Sequence, residues 1–220
     1  MAAGVAHEIN NPLTVIAGMV RLLPKVVDNP QKMQERVVMI ERATERIAKI
    51  VGSLRKYSRS SDRRPYEKKR LAAIVSEVLI LVDAKAKRHF TKVEASVDPN
   101  TVIMCDEIEM EQVLINLINN AVDAVKKLEE RWVRVEAKAE GSFVVLQVRD
   151  SGKGIPSAVL EKLFQPFFTT KELGEGTGLG LSIARGILVE HGATIEVRSD
   201  APNTCFEVRL PLTAEKANAV

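Results

Sequence analysis

Aromatic and sulfur side chains are scarce in this 220-residue chain, which has six Phe, two Tyr, one Trp and only two cysteines. With so few rings, the core must be built from Leu, Ile, Val and Ala. No basic stripe interleaved with aromatics offers a stacking surface for bases, so nucleic acid is not expected as a partner. Cys105 and Cys205 are too few for a disulfide framework or a four-cysteine zinc site, and a reducing cytoplasm is the expected compartment. No uninterrupted apolar run approaches the ~18 residues that a membrane span needs, so no membrane contact is expected of this segment. Met1 to Ala6 is too short for a signal peptide. Repeats and low-complexity tracts are absent. A hydrophobic content of 45% with 28% charged residues excludes a disordered chain. The length suits one domain of ordinary size and a smaller one.

Charge is nearly balanced overall, at +3, but unevenly spread. Residues 1–65 carry 12 Lys and Arg against 6 Asp and Glu, a net of +6. The remainder carries 20 against 23, a net of −3. A basic first segment favours an acidic partner, or is simply the solvated face of helices.

Periodicity divides the chain at about residue 60. Val5, Ile9, Leu13, Ile16, Val20 and Leu23 recur at spacings of four and three, one face of a helix. Asp28-Asn29-Pro30 breaks the pattern. Met33, Val37, Ile40, Thr44, Ile47, Val51 and Leu54 then form a heptad seam with a polar Thr at its middle. Two such helices cannot bury a sizeable core alone, so the hairpin is expected to pair with a second copy as a four-helix bundle, a homodimer. Tyr57 to Arg64, rich in Ser and Arg and ending at Pro65, reads as a linker.

Beyond it the pattern is mixed. Helices are expected at Leu71 to Lys87, Glu107 to Lys127, Ser157 to Leu163 and Leu181 to Glu190. Strands are expected at Thr91 to Val97, Thr101 to Met104, Val133 to Ala139, Phe143 to Arg149, Thr194 to Arg198 and Cys205 to Leu210. Asp98-Pro99-Asn100 and Glu140-Gly141 read as the turns between neighbouring strands. Without strict alternation, the fold class is α+β, a helical hairpin followed by an α/β sandwich. Expected boundaries are 1–60 for the hairpin, 61–66 for the linker, 67–213 for the sandwich and 214–220 for a tail.

Several short motifs carry chemistry. His7 lies off the apolar stripe of the first helix, with Glu8 beside it and Asn11 one turn further on. An exposed imidazole next to a carboxylate suits a nucleophile with its base. Pro12 removes a backbone donor and should bend the helix. In the second domain, Asn116 and Asn120 stand four apart on a helix, where Asn is unfavourable without a task. Carboxamide oxygens suit Mg²⁺ held together with phosphates. Asp150-Ser151-Gly152-Lys153-Gly154 directly follows a strand. Gly174 to Gly180 precedes a helix, whose N-terminus presents free N–H groups to phosphate. It is not a Walker A loop, because no Gly-Lys-Ser/Thr follows. Singly, the last three features are weak signals; all four in this order are specific.

In this order the motifs resemble those of the sensor histidine kinases of two-component systems. His7 to Leu13 is similar to the H box, Asn116 to Ala121 to the N box, Asp150 to Gly154 to the G1 box and Gly176 to Leu181 to the G2 box. Phe164 to Lys171 is similar to the F box and the start of the ATP lid. The resemblance covers about residues 1 to 212, and the H box and Phe-Phe-Thr-Thr-Lys run are similar to kinases of the nitrogen-regulation type.

The resemblance implies a dimerisation and histidine-phosphotransfer domain, then a Bergerat-type ATP-binding domain of the kind shared with gyrase and Hsp90. It implies ATP and Mg²⁺ as cofactors, with His7 as phosphoacceptor and Glu8 orienting or deprotonating it. Asn120 would coordinate Mg²⁺, assisted by Asn116. The Asp150 carboxylate would accept from the adenine amino group, with Gly152 and Gly154 making room for the base. Gly176, Thr177, Gly178, Leu179 and Gly180 would bring backbone amides to the phosphates, and Lys171 would reach the γ-phosphate. Phe164 and Phe167 would hinge the lid. A response-regulator receiver domain would take the phosphoryl group onto an aspartate, and Asn11 would position a water for the reverse dephosphorylation.

Departures from the pattern are few. Ala201-Pro202-Asn203-Thr204 stands where glycines usually precede the last strand, and the nucleotide contacts are expected not to depend on it. Asp123 replaces a basic residue. The first helix begins six residues before His7, whereas in relatives it runs upstream to a sensor, which in a longer protein could be membrane-bound. Two other readings compete. A gyrase-like ATPase lacks its water-activating acid, since Asn116 stands at that position. A non-catalytic docking module is opposed by intact Asn120, Asp150 and glycines.

Overall fold

The computed structural model describes residues 2–58, 65–171, 176–198 and 201–212; the side chains of residues 2–8, 46, 49 and 53–58 also lie outside the description. The chain divides into two compact units, one of Met1–Asp62 with Gln165–Leu179, the other of Arg63–Phe164 with Gly180–Val220.

In the first unit, helix α1 (Ala2–Leu22) runs through Pro12, which is buried, into a single 3-10 turn (Leu23–Val26). Helix α2 (Pro30–Ser58) returns beside it. Asn29 caps α2, its side chain accepting from Lys32 N at 3.0 Å. The side chains buried on α2 are Ala43 and Ile50, each one residue before a seam position, whereas Val51 of the seam is 48% exposed. Leu13 and Val20 on α1 are 45% and 49% exposed. One hairpin therefore covers only the flank of its apolar seam.

The second unit is a two-layer sandwich. A five-stranded sheet is ordered β2-β4-β5-β7-β6, and β1 pairs with β3 in a separate two-stranded sheet. The strands are β1 (Glu67–Arg70), β2 (Lys92–Val97), β3 (Val102–Cys105), β4 (Trp132–Glu140), β5 (Phe143–Asp150), β6 (Thr194–Val197) and β7 (Cys205–Pro211). Only β2 and β4 pair parallel within the larger sheet. Two expectations need correction here. Asp98 to Asn100 does not close a hairpin, because β2 and β3 belong to different sheets. Strand β1 was missed, since Glu-Lys-Lys-Arg shows no alternation and is almost wholly exposed.

Helices α3 (Leu71–Arg88), α4 (Glu107–Val125) and α6 (Gly180–Glu190) cover one face; the short α5 (Ser157–Leu160) precedes Phe164. The core forms where period two meets period 3.6. Val133, Val135 and Ala137 of β4, Val144, Leu146 and Val148 of β5, and Phe206, Val208 and Leu210 of β7 meet Ile74, Val78, Leu114, Leu117, Ile118, Ala121, Ala184 and Leu188. Cys105 and Cys205 are buried and reduced.

Asp106 starts α4, its Oδ1 accepting from Ile108 N and Glu109 N at 2.9 and 3.2 Å. Helix α6 ends in a left-handed Gly192, with Ala193 N donating to Leu188 O. His191, at the end of α6, is buried, and burial lowers its pKa. Its Nδ1 lies 2.8 Å from Ile187 O, and Nε2 accepts from Asp106 N at 3.1 Å. Two such bonds define the neutral tautomer protonated at Nδ1. Tyr66 stacks on this ring at 4.3 Å and donates to Glu190 O at 3.1 Å.

Candidate functional site

The second unit contains a polar site at the ends of β5 and β7. Asp150, the last residue of β5, is 1% exposed. Its Oδ1 accepts from Gly152 N at 2.8 Å, and its carboxylate is also hydrogen-bonded by the Thr204 hydroxyl. Burial outweighs both bonds and pushes its pKa up to about 6. It therefore remains largely ionised at neutral pH, an acceptor held by two neutral donors.

The turn around Asp150 is tied down on both sides. Asp150 N donates to Thr204 O and Thr204 N to Gly152 O, at 3.0 and 3.2 Å. Ser151 Oγ donates to Glu130 O at 2.7 Å. A Cβ at Gly152 would stand 2.6 Å from Asp150 Oδ1 and 2.9 Å from Thr204 Oγ1, so only glycine fits. Gly154 has φ +87°, the left-handed region that favours glycine. Residues 203 and 204 take part in this turn. Thr204 is buried and holds the carboxylate, and Asn203 Nδ2 donates to Gly152 O at 3.3 Å. No short motif flags Thr204, because its role follows from β7 lying beside β5.

Asn116 joins α4 to the start of α6. Its Nδ2 donates to Gly180 O at 3.0 Å, and its Oδ1 accepts from Gln112 Nε2 at 3.0 Å. Asn120 lies one turn on along the same stripe, half-buried. Its carboxamide is a hard oxygen donor of the kind magnesium takes alongside phosphates and water. Among the described residues no group of three or more His, Cys, Asp or Glu side chains could hold a metal. The residues present fit an ion bound chiefly through a polyphosphate.

Gln165–Leu179 belongs to the first unit. Within it, Phe167 has φ +67° and Gly178 φ +66°. A Cβ on Gly178 would lie 2.3 Å from the Phe167 carbonyl carbon, so the two ends of this segment meet through backbone alone. Gly176 is confined by Thr169 Oγ1, 2.9 Å from a Cβ placed there, and Lys171. Thr169 Oγ1 accepts from Lys171 N, and Thr177 Oγ1 from Leu179 N, at 3.1 and 3.3 Å. Leu179 is buried. Arg185 of α6 stacks over Phe164 at 5.5 Å. On α1, Asn11 is exposed, while the side chains of His7 and Glu8 lie outside the described residues.

Residues 105–214 match the family described as histidine kinase-, DNA gyrase B- and HSP90-like ATPases, and residues 1–63 match the His Kinase A phospho-acceptor domain. The catalytic domain of histidine kinase ThkA is 32% identical and superposes with a TM-score of 0.62, covering 69% of this chain and 99% of that one. The chain belongs to the two-component sensor histidine kinases. It is 34% identical over 215 residues to the C4-dicarboxylate transport sensor protein DctB of Rhizobium meliloti, covering 96% of this chain and 34% of that protein. It is 32% identical over 219 residues to the sensor histidine kinase ZraS of Salmonella typhimurium, covering 98% of this chain and 46% of the relative. The chain thus spans about a third to a half of the length of these relatives. ThkA in complex with response regulator protein TrrA is similar over 98% of this chain and 62% of that one, at 30% identity and a TM-score of 0.77. The histidine-kinase fold is accordingly the helical hairpin followed by the α/β sandwich. Among the described residues no helix is long and apolar enough to cross a membrane.

Proposed function

We propose that this chain is the ATP-dependent autokinase core of a sensor histidine kinase, which phosphorylates His7 and passes the phosphoryl group to an aspartate of a response regulator. The observation that carries the reading is the buried, ionised Asp150 fixed by the Gly152 amide and the Thr204 hydroxyl, at a turn where a Cβ on Gly152 would not fit. A buried carboxylate without a cation suits an adenine amino group, a neutral donor. The joint between Asn116 and Gly180 puts the polar stripe of α4 next to the α6 N-terminus, where anions are favoured.

In this reading Asn120, assisted by Asn116, holds magnesium with the nucleotide. Bound there, the ion neutralises charge on the phosphates. The backbone of Gly176 to Gly180 contacts the phosphates, and Lys171 contributes a positive charge. An unprotonated imidazole nitrogen of His7 forms a bond to the γ-phosphorus as the bridging P–O bond breaks, and ADP leaves with that electron pair. Glu8 takes the imidazole proton. His7 and the bound nucleotide must come together for this step, which the segment 61–66 between 1–60 and 67–213 would permit, with 214–220 as a tail.

The exposed Leu13, Val20 and Val51 support a second copy completing a four-helix bundle. The ThkA–TrrA complex supports a receiver domain as partner. Exposed Asn11, one turn from His7, would place a water for receiver dephosphorylation; Asn11→Ala keeping full phosphatase activity would remove that role. The segment is placed in the cytoplasm, where ATP is available. The partner is tested with the chain phosphorylated on His7 and mixed with a purified cognate receiver. The label should move to the receiver, and a receiver whose acceptor Asp is Asn should take none. Equal labelling of that receiver would contradict the reading.

A further inference from the structure

Asp123 stands seven residues after Asn116 on α4, about 20° round the helix, and three after Asn120, a neighbour at about 5–6 Å between Cβ atoms. It therefore extends the polar stripe of Gln112, Asn116 and Asn120, away from the core residues Leu117, Ile118 and Ala121. A carboxylate there is a liability for a surface that receives a polyphosphate. Lys85 reaches over from α3. Its Nζ lies 2.7 Å from Asp123 Oδ1 and 3.2 Å from Asn119 O, so one ammonium grips both the carboxylate and the backbone of the turn carrying Asn120. The side chains are 32% and 17% exposed, so solvent screens the pair only partly.

We infer that Lys85 is a positioning residue for nucleotide phosphates, acting by neutralising and holding Asp123 on the phosphate-facing stripe of α4. The inference rests on the reading of that stripe as part of a nucleotide site. Lys85 touches no nucleotide in this account and works through Asp123. Removing its charge withdraws the ammonium that stands 2.7 Å from a carboxylate next to Asn120. It should act on ligands according to their phosphates and leave the adenine subsite around Asp150 alone.

Calorimetric titration of the intact chain with MgADP and, separately, with adenosine tests this. Lys85→Met should weaken MgADP binding about five- to tenfold, an effect that shrinks as salt is raised, and leave adenosine binding unchanged. Lys85→Met with Asp123→Asn should return MgADP affinity to within about twofold of wild type, since the offending charge is gone. Asp123→Asn alone, which keeps the fold if Lys85→Met does not, should tighten MgADP about two- to fivefold. Equal losses for adenosine and MgADP, or a double variant as weak as Lys85→Met, would overturn the inference by making the pair a structural brace. So would Asp123→Asn weakening MgADP. A wild-type chain that binds neither ligand would instead overturn the nucleotide-site reading beneath it.

Discussion

Thr204→Val is the sharpest perturbation of the proposed adenine subsite. The side chains are nearly the same size, so the change removes the hydroxyl that bonds Asp150 and little else. Asp150 titrates at about 6, against 3.8 for an unperturbed carboxyl. The difference corresponds to about 3 kcal/mol against the charged form, the net of burial over the two hydrogen bonds, at about 1.4 kcal/mol per unit. Because the folded pKa is raised, the group's contribution to stability is fully present below the unfolded value near 4. It is lost as pH rises through about 6. The Thr204 hydroxyl opposes that loss by bonding the ionised form, worth about 1.5 kcal/mol for a hydrogen bond to a charge. Thr204→Val should thus raise the Asp150 pKa by about one unit. It should cost about 1.5 kcal/mol at pH 8 and much less at pH 4, a difference that thermal unfolding at the two pH values detects. Binding follows the same titration. ADP affinity should fall as pH drops through about 6 in the wild type, and at about one unit higher in the variant. An unchanged midpoint, or equal destabilisation at both pH values, would refute the coupling between Thr204 and Asp150.

Other substitutions test separate joints. Gly178→Ala places a methyl within 2.3 Å of the Phe167 carbonyl carbon and strains a φ of +66°, so ADP affinity should fall at least tenfold; an affinity within twofold of wild type would refute that close approach. Tyr66→Leu removes the stack on His191 and the bond to Glu190, and should lower the midpoint of thermal unfolding by several degrees, about 1–2 kcal/mol, with ADP binding at 25 °C unchanged. Leu13→Asp with Val20→Asp should convert a dimer to a monomer in analytical ultracentrifugation, because both side chains lie on the uncovered seam.

Regular periodicity made most of this molecule legible in its sequence. The alternation in Val133 to Ala139 and Phe143 to Arg149 matches β4 and β5. What escaped was non-local. Glu67 to Arg70 becomes a strand only because β3 lies beside it. Thr204 matters only because β7 delivers it to the end of β5, 54 positions from Asp150 in sequence, and no local pattern records that. His191 stands 85 positions from Asp106 in sequence, yet its buried, neutral ring accepts from Asp106 N. The five motif boxes are legible in the sequence because each is short and contiguous. The bonds among Asn116, Gly180, Gln112 and Asp150 with Thr204 needed the fold.

The proposed function stands on His7 as the phosphoryl acceptor of a kinase built on this site. Incubating the purified chain with γ-labelled ATP and Mg²⁺, beside His7→Gln, tests it directly. The account predicts label on the wild type that is lost in acid and kept in base, and none on the variant, with ADP binding equal in the two. Label on His7→Gln, or none on a wild type that binds nucleotide, would contradict it.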